Sequence, residues 1–339
     1  MINAMAIGIA IAFSAAARPV IAELPPRDAT IIAEAHYLRQ ALGEQVWPGW
    51  AKAAMPLVYI RGEHEFAIGF DRPLEGFEPS EQRVADRPVQ VRARQLETTL
   101  AAAYDFQGIP AVVIGTPEAL QWSPTEWALK AGHEMFHVLS MQRGGTEKVG
   151  ALGIGSADDA SWQLDYPFPY DDPEVMRLMH LQAYAVYLAI SAAPPDGPDV
   201  KYNAGTALEA LAVIRAWLLK TTGDERAAKY AMFQEGEEGA GRYTEYRLAQ
   251  LASGHEYVPS EAFRGLEDFV PYPEVWESAY LNAPFVIKHA GRAVKTRTIF
   301  YYTGMGKCLL LDRLDPAWKR AFLQEGAWLD ELLVKAAGG

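Results

Sequence analysis

The chain has 339 residues, 50% of them hydrophobic and 22% charged, a balance that supports a sizeable core and excludes a disordered chain or a membrane bundle. Its formal net charge of -12, with no long Lys/Arg run, excludes nucleic acid and anionic lipid as electrostatic partners. The single cysteine, Cys308, can close no intramolecular disulfide and rules out a Cys-rich zinc module, so packing must carry the stability.

In chain order, residues 1–22 differ in character from the remainder of the chain. An apolar stretch from Met5 to Phe13 precedes the small residues Ser14 to Ala17, as in a secretory signal peptide with cleavage after Ala17 or Ala22. No Lys or Arg precedes the stretch and Arg18-Pro19 interrupts the second option, so an N-terminal helix packed on the core is the alternative. The first reading makes the mature protein secreted or periplasmic, the second cytoplasmic. The stretch is too short for a transmembrane span.

Residues 23–120 read as an α/β lobe. A helix is predicted over 28–42 from the N-cap candidate Asp28, then strands over 57–60 and 65–70 as a hairpin around Arg61-Gly62-Glu63-His64. Further strands are predicted over 89–93 and 109–114, where Pro110 marks an edge or a strand start. Residues 121–339 read as mainly helical, with helices over 124–143, 173–190, 204–221, 224–233, 238–253 and 298–314. Between the first two, residues 144–172 read as a long loop containing Asp165-Tyr166-Pro167-Phe168-Pro169-Tyr170, suited to border or cover an active site. No repeat of solenoid period and no low-complexity linker is present. The expected class is α+β, a small mixed sheet packed on one helix beside a larger helical lobe.

The segment from Ser123 to His137 carries the chemistry. Ser123 as N-cap, Pro124 at the first helical position and Glu126 three residues after the cap make a capping box. On the helix that this box starts, His133 and His137 lie one turn apart on one face, so both imidazoles can bind one zinc ion. Glu134 projects beside that ion, where its carboxylate can take a proton from the attacking water. This is the logic of H-E-x-x-H.

A catalytic zinc needs a third protein ligand. Residues 138–144 contain no histidine, which disfavours the metzincin pattern. The stretch Glu238-Gly239-Ala240-Gly241-Arg242-Tyr243-Thr244-Glu245 resembles the Glu-Gly-x-Ala-x-Tyr-x-Glu helix of gluzincin-type metallopeptidases, with Gly241 where that pattern usually has Ala. The resemblance implies a zincin-like fold with Glu238 as third ligand, Glu235 and Glu237 being its rivals in the same acidic cluster. The small residues at 239–241 would also let this helix lie close against the His133 helix. Glu245, two turns beyond Glu238 on the same face, is placed to hydrogen-bond a ligating histidine, or else is a surface carboxylate.

Tyr301-Tyr302-Thr303-Gly304 resembles the Tyr-x-x-Gly helix start of gluzincin aminopeptidases, which implies Tyr301 as donor to the oxyanion, Tyr302 being its neighbour and rival. The resemblance covers roughly a tenth of the chain. About a hundred residues separate His137 from Glu238, and no Gly-x-Met-x-Asn segment is present, so exopeptidase action has no support. The strand over 108–115 is a candidate to pair with an extended peptide by strand addition.

Elsewhere, His255-Glu256 precedes Pro259 and reads as a loop, His64 as part of a turn, and His36, His180 and His289 as isolated side chains. Cys308 reads as buried and inert. The expected function is zinc-dependent hydrolysis of a peptide or protein substrate. The alternatives are a zinc hydrolase acting on another substrate and a catalytically silent gluzincin-like binding protein of the cell envelope.

Overall fold

The computed structural model describes residues 22–155, 161–194 and 197–338. It opens with helix α1 (Pro26–Val46), which has a proline in its first turn and ends where Trp47 adopts extended backbone. Six strands come next in the chain: β1 (Leu57–Arg61), β2 (His64–Ile68), β3 (Glu78–Val84), β4 (Arg87–Ala93), β5 (Ala101–Phe106) and β6 (Ile109–Gly115). They form one sheet in the order β3-β4-β2-β1-β6-β5. The β1–β6 pair is parallel and every other pair antiparallel, so the sheet is mixed. The β1–β2 hairpin forms as expected, with Gly62 at φ 56° in its turn, but His64 begins β2 opposite Arg61 instead of lying in the turn.

Strand alternation divides the side chains between two cores. Leu57, Tyr59, Phe66, Ile68, Val112 and Ile114 join the main core shared with the helices, while Val58, Ile60, Ala67 and Val113 pack with Phe70, Leu74, Phe77 and Phe106 on the opposite face. Burial on both faces accounts for the continuous apolar runs in β1 and β6.

Two readings of the sheet are corrected. Segment 109–115 is not an edge, because Val112 pairs with Leu57 on one side and with Ala103 on the other; this removes it as a strand that a peptide could join. The edge on that side is β5, which was not expected, and neither was β3 at the opposite edge. Both are hard to read because edge strands bury little: β3 is polar and β5 begins with three alanines.

The rest is helical: α2 (Pro124–Gln142), α3 (Pro173–Ser191), α4 (Pro198–Thr222), α5 (Arg226–Gln234), α6 (Ala240–Ala252), α7 (Ala283–His289), α8 (Thr298–Leu314) and α9 (Leu329–Ala337), with further helical segments of up to seven residues between, among them Trp318–Gln324. The class is therefore α+β, as expected. Helix α4 starts before the expected residue 204, and α5 and α6 are not separated by a loop, since a π-helical turn over Glu235–Gly239 joins them. The stretch 144–172 is not a bare loop: it holds the short helices Gly145–Gly150 and Trp162–Asp165, and the Phe168 ring meets Phe300 edge-on at 5.2 Å. Apart from Ala22, the residues expected to form a leader lie outside the described residues. No helix among the described residues is long and apolar enough to cross a membrane.

Candidate metal centre

The centre begins with the capping box at the start of α2. The Ser123 hydroxyl accepts from the Glu126 N–H at 3.2 Å, and the Glu126 carboxylate accepts from the Ser123 N–H at 2.9 Å. Thus anchored, α2 runs without interruption through His133 and His137, whose ring centroids are 4.9 Å apart. The indole of Trp127 donates to the Gly115 carbonyl at 2.8 Å and ties the first turn of α2 to the end of β6.

The π-helical turn brings Glu238 against these rings. Glu238 Oε2 lies 3.5 Å from His133 Nε2 and 4.0 Å from His137 Nε2. Ligand atoms of the three residues all fall within 4.8 Å of one another. Donors tetrahedrally bound to zinc sit about 3.3 Å apart, so small side-chain shifts suffice to close the set on an ion. Widened helical turns of this kind recur at functional sites, because they re-aim side chains that an α-helix would place elsewhere.

The three clustered glutamates take three different partners. Glu235 turns into the core, where Lys307 Nζ donates to Glu235 Oε2 and to Asp330 Oδ1, each at 2.5 Å. Glu237 Oε2 lies 3.5 Å from His137 Nδ1, and Ser140 donates to its other oxygen at 3.3 Å. Only Glu238 faces the Nε2 side of both rings. The two rivals for the ligand position are thus directed away from it.

His133 Nδ1 donates to Glu245 Oε1 at 2.7 Å, which leaves Nε2 directed at Glu238. Glu245 is almost fully buried and also receives Lys130 at 2.9 Å, Arg242 at 2.5 Å and the Tyr280 hydroxyl at 3.0 Å. Burial alone would raise its pKa, but Lys130, Arg242 and His133 hold it well below the ordinary carboxylate value. Glu238 behaves alike: burial opposes ionisation, and pairing with His133, the charge of His137 and the nearby Tyr301 overcome it. For His133 burial disfavours the cation, yet its contacts with Glu238 and Glu245 and the nearby Glu134 raise its pKa to about 10.

Glycines set the distances between these helices. A Cβ at Gly241 would lie 2.5 Å from His133 Nε2, so the residue that departs from the gluzincin pattern is the one against which the ring rests. A Cβ at Gly239 would lie 2.4 Å from Gly304 Cα, so the π-helical turn and α8 meet backbone to backbone. That contact brings Tyr301, one turn before Gly304, beside Glu238. Its ring centroid is 6.1 Å from that of His133. Tyr302 points elsewhere, with the Arg242 guanidinium 5.8 Å from its ring.

Glu134 is half-buried next to both imidazoles; burial raises its pKa against the opposing charges of His133 and His137, and the charges of Glu238 and Glu245 add to the rise. No family model, curated protein or solved structure matches this chain. Its site is therefore defined by its own geometry.

Sequence reasoning missed Arg297, which donates to Glu238 Oε1 at 3.0 Å, and Lys130, Arg242 and Tyr280 around Glu245. Arg297 stands just before α8 in a segment with no periodicity, so no local signal marks it. Lys130 was legible in principle, one turn before His133 on the same helix. The other histidines stay away from the centre: His36 is buried in α1, and His180 Nδ1 donates to the Ala290 carbonyl at 3.1 Å.

Proposed function

We propose that this chain is a zinc-dependent hydrolase of gluzincin type that cleaves peptide bonds, with His133, His137 and Glu238 as metal ligands and Glu134 as general base. The observation that carries the reading is the isolation of Glu134. Its carboxylate makes no hydrogen bond or ion pair among the described residues, although it lies beside two imidazoles, and the neighbouring carboxylates of Glu237, Glu238 and Glu245 are all engaged. A half-buried acid left unpaired beside a ligand set suits proton transfer.

The donor set fits the ion. Two imidazole nitrogens and one carboxylate oxygen converge, each held from behind, and zinc bound to such a set supplies Lewis acidity toward a carbonyl and toward water. Glu134 takes the proton of the attacking water and passes it to the leaving amine. The Tyr301 ring stands 6.1 Å from that of His133, and its hydroxyl would donate to the oxyanion. The open edge at β5 packs beside α2 and offers an extended peptide a strand to join.

The test is the zinc content and peptide turnover of the wild-type protein beside the Glu134→Gln variant. Both should bind zinc, and turnover of a mixed peptide library should fall by about a hundredfold or more in the variant. Absence of zinc, or equal turnover by the two proteins, sinks the reading. Zinc-dependent turnover of esters or small amides without peptide cleavage would assign a non-peptide hydrolase, and no turnover of any substrate would assign a silent binding protein.

A further inference from the structure

A cleft of about 350 Å³ lies between the start of α3 and the connection from α7 to α8. Tyr170, Asp171, Arg177 and His180 line one side, and Arg292 and Lys295 the other. Arg177 is engaged by Glu174 through two hydrogen bonds of 2.7 and 2.6 Å. Arg292 and Lys295 have no acidic partner among the described residues, in a protein whose net charge is -12.

The two cations stand on a constrained loop. Gly291 N–H donates to the Val294 carbonyl at 3.1 Å and Ala293 N–H to the His289 carbonyl at 2.9 Å. Gly291 adopts φ 80°, and a Cβ there would lie 2.7 Å from both the His180 amide and the Met176 carbonyl, so the loop is seated directly on α3. This backbone holds Arg292 and Lys295 at the cleft. His180 Nδ1 donates to the Ala290 carbonyl at 3.1 Å and helps seat the loop on α3.

The cleft borders the candidate metal centre. Lys295 lies two residues before Arg297, which touches Glu238, so their Cα atoms are at most about 7 Å apart. On the other wall Tyr170 meets the ring of Phe300, the neighbour of Tyr301, at 6.2 Å. Lys295 and Tyr170 thus connect the cleft to the segment that carries Arg297 and Tyr301.

We infer that the cleft is a carboxylate-recognising subsite, and that the favoured substrates are peptides placing a carboxylate there. The inference rests on the peptidase reading for its substrate. Arg292 and Lys295 supply the attraction, and Asp171, the one acidic side chain in the wall, opposes a second negative charge. The carboxylate comes either from an Asp or Glu side chain or from a free C-terminus.

The test measures binding by calorimetry to zinc-loaded Glu134→Gln, where cleavage does not interfere. The peptides are a C-terminally amidated set with Glu or Gln at successive positions, and a neutral set with free or amidated C-terminus. At least one carboxylate-bearing peptide should bind about tenfold more tightly than its neutral counterpart, and the set that shows the difference identifies the source. Arg292→Glu with Lys295→Glu, both exposed, should abolish that preference while neutral peptides bind as before. Equal binding of charged and neutral peptides, a preference that survives the double substitution, or no binding at millimolar concentration overturns the inference. Failure of the peptidase reading would show separately, as absence of zinc-dependent cleavage of every peptide by the native protein.

Discussion

Glu245 and His133 meet across 112 residues of sequence, His133 Nδ1 donating to Glu245 Oε1 at 2.7 Å. This contact fixes the orientation of the ring and turns Nε2 toward Glu238. Glu245→Gln should therefore weaken zinc binding by roughly 10- to 100-fold, as competition with a chromophoric chelator would show. It also leaves the largely buried Arg242 without its counter-charge, so stability to urea should fall by up to about 3 kcal/mol. Unchanged zinc affinity in a folded variant would mean that the contact does not orient the ring.

Gly241→Ala tests the closeness of α6 and α2 at a single methyl group. The added Cβ would lie 2.5 Å from His133 Nε2, and since α6 is held along its length, the ring must move instead. Zinc affinity should drop by more than tenfold while far-ultraviolet circular dichroism stays as in the wild type. A variant that keeps full zinc affinity would contradict the close packing.

Metal uptake should release a proton. His133 is protonated in the metal-free protein below about pH 10, because Glu238 and Glu245 hold the cation against the cost of burial. A ligating imidazole must be neutral, so binding expels that proton and affinity should fall as pH decreases, by up to about tenfold per unit. Calorimetry in buffers of differing ionisation enthalpy measures it directly. Zero net proton release at pH 7 would show that His133 is neutral before the metal arrives.

His36 should make the fold acid-sensitive apart from the metal centre. The ring is fully buried, neither nitrogen has a hydrogen-bond partner among the described residues, and burial, then the charges of Arg87 and Arg39, push its pKa well below that of a free imidazole. Between the two values the unfolded chain carries a proton that the folded chain does not. Stability is thus fully present above about pH 6.5 and declines as pH falls through that value, by up to about 1.4 kcal/mol per unit. His36→Leu should flatten the slope without loss of stability at neutral pH, since it removes polar atoms that have no partner. Urea denaturation of both proteins at about pH 7.5 and 5.5 checks this, and equal slopes would refute it.

Much of the architecture is local in origin. The capping box, the uninterrupted α2 and the two histidines one turn apart depend on neighbours a few residues away, as do the β1–β2 hairpin and the span of α8. Short-range hydrogen bonding and side-chain periodicity write such features directly into the order of residues. These alone were enough to specify where two imidazoles and Glu134 would stand.

The choice among Glu235, Glu237 and Glu238 was different, because three acids within four positions carry no local mark of which one faces the rings. It was decided by a widened helical turn, by Lys307 drawing Glu235 inward, and by a glycine contact with α8 more than sixty residues away. The interior place of β6, the engagement of Glu238 by Arg297 and the shielding of Glu245 by Tyr280 also belong to tertiary structure. Each depends on partners brought together only when the core closes, and long-range packing leaves no period or cap in the sequence to reveal it.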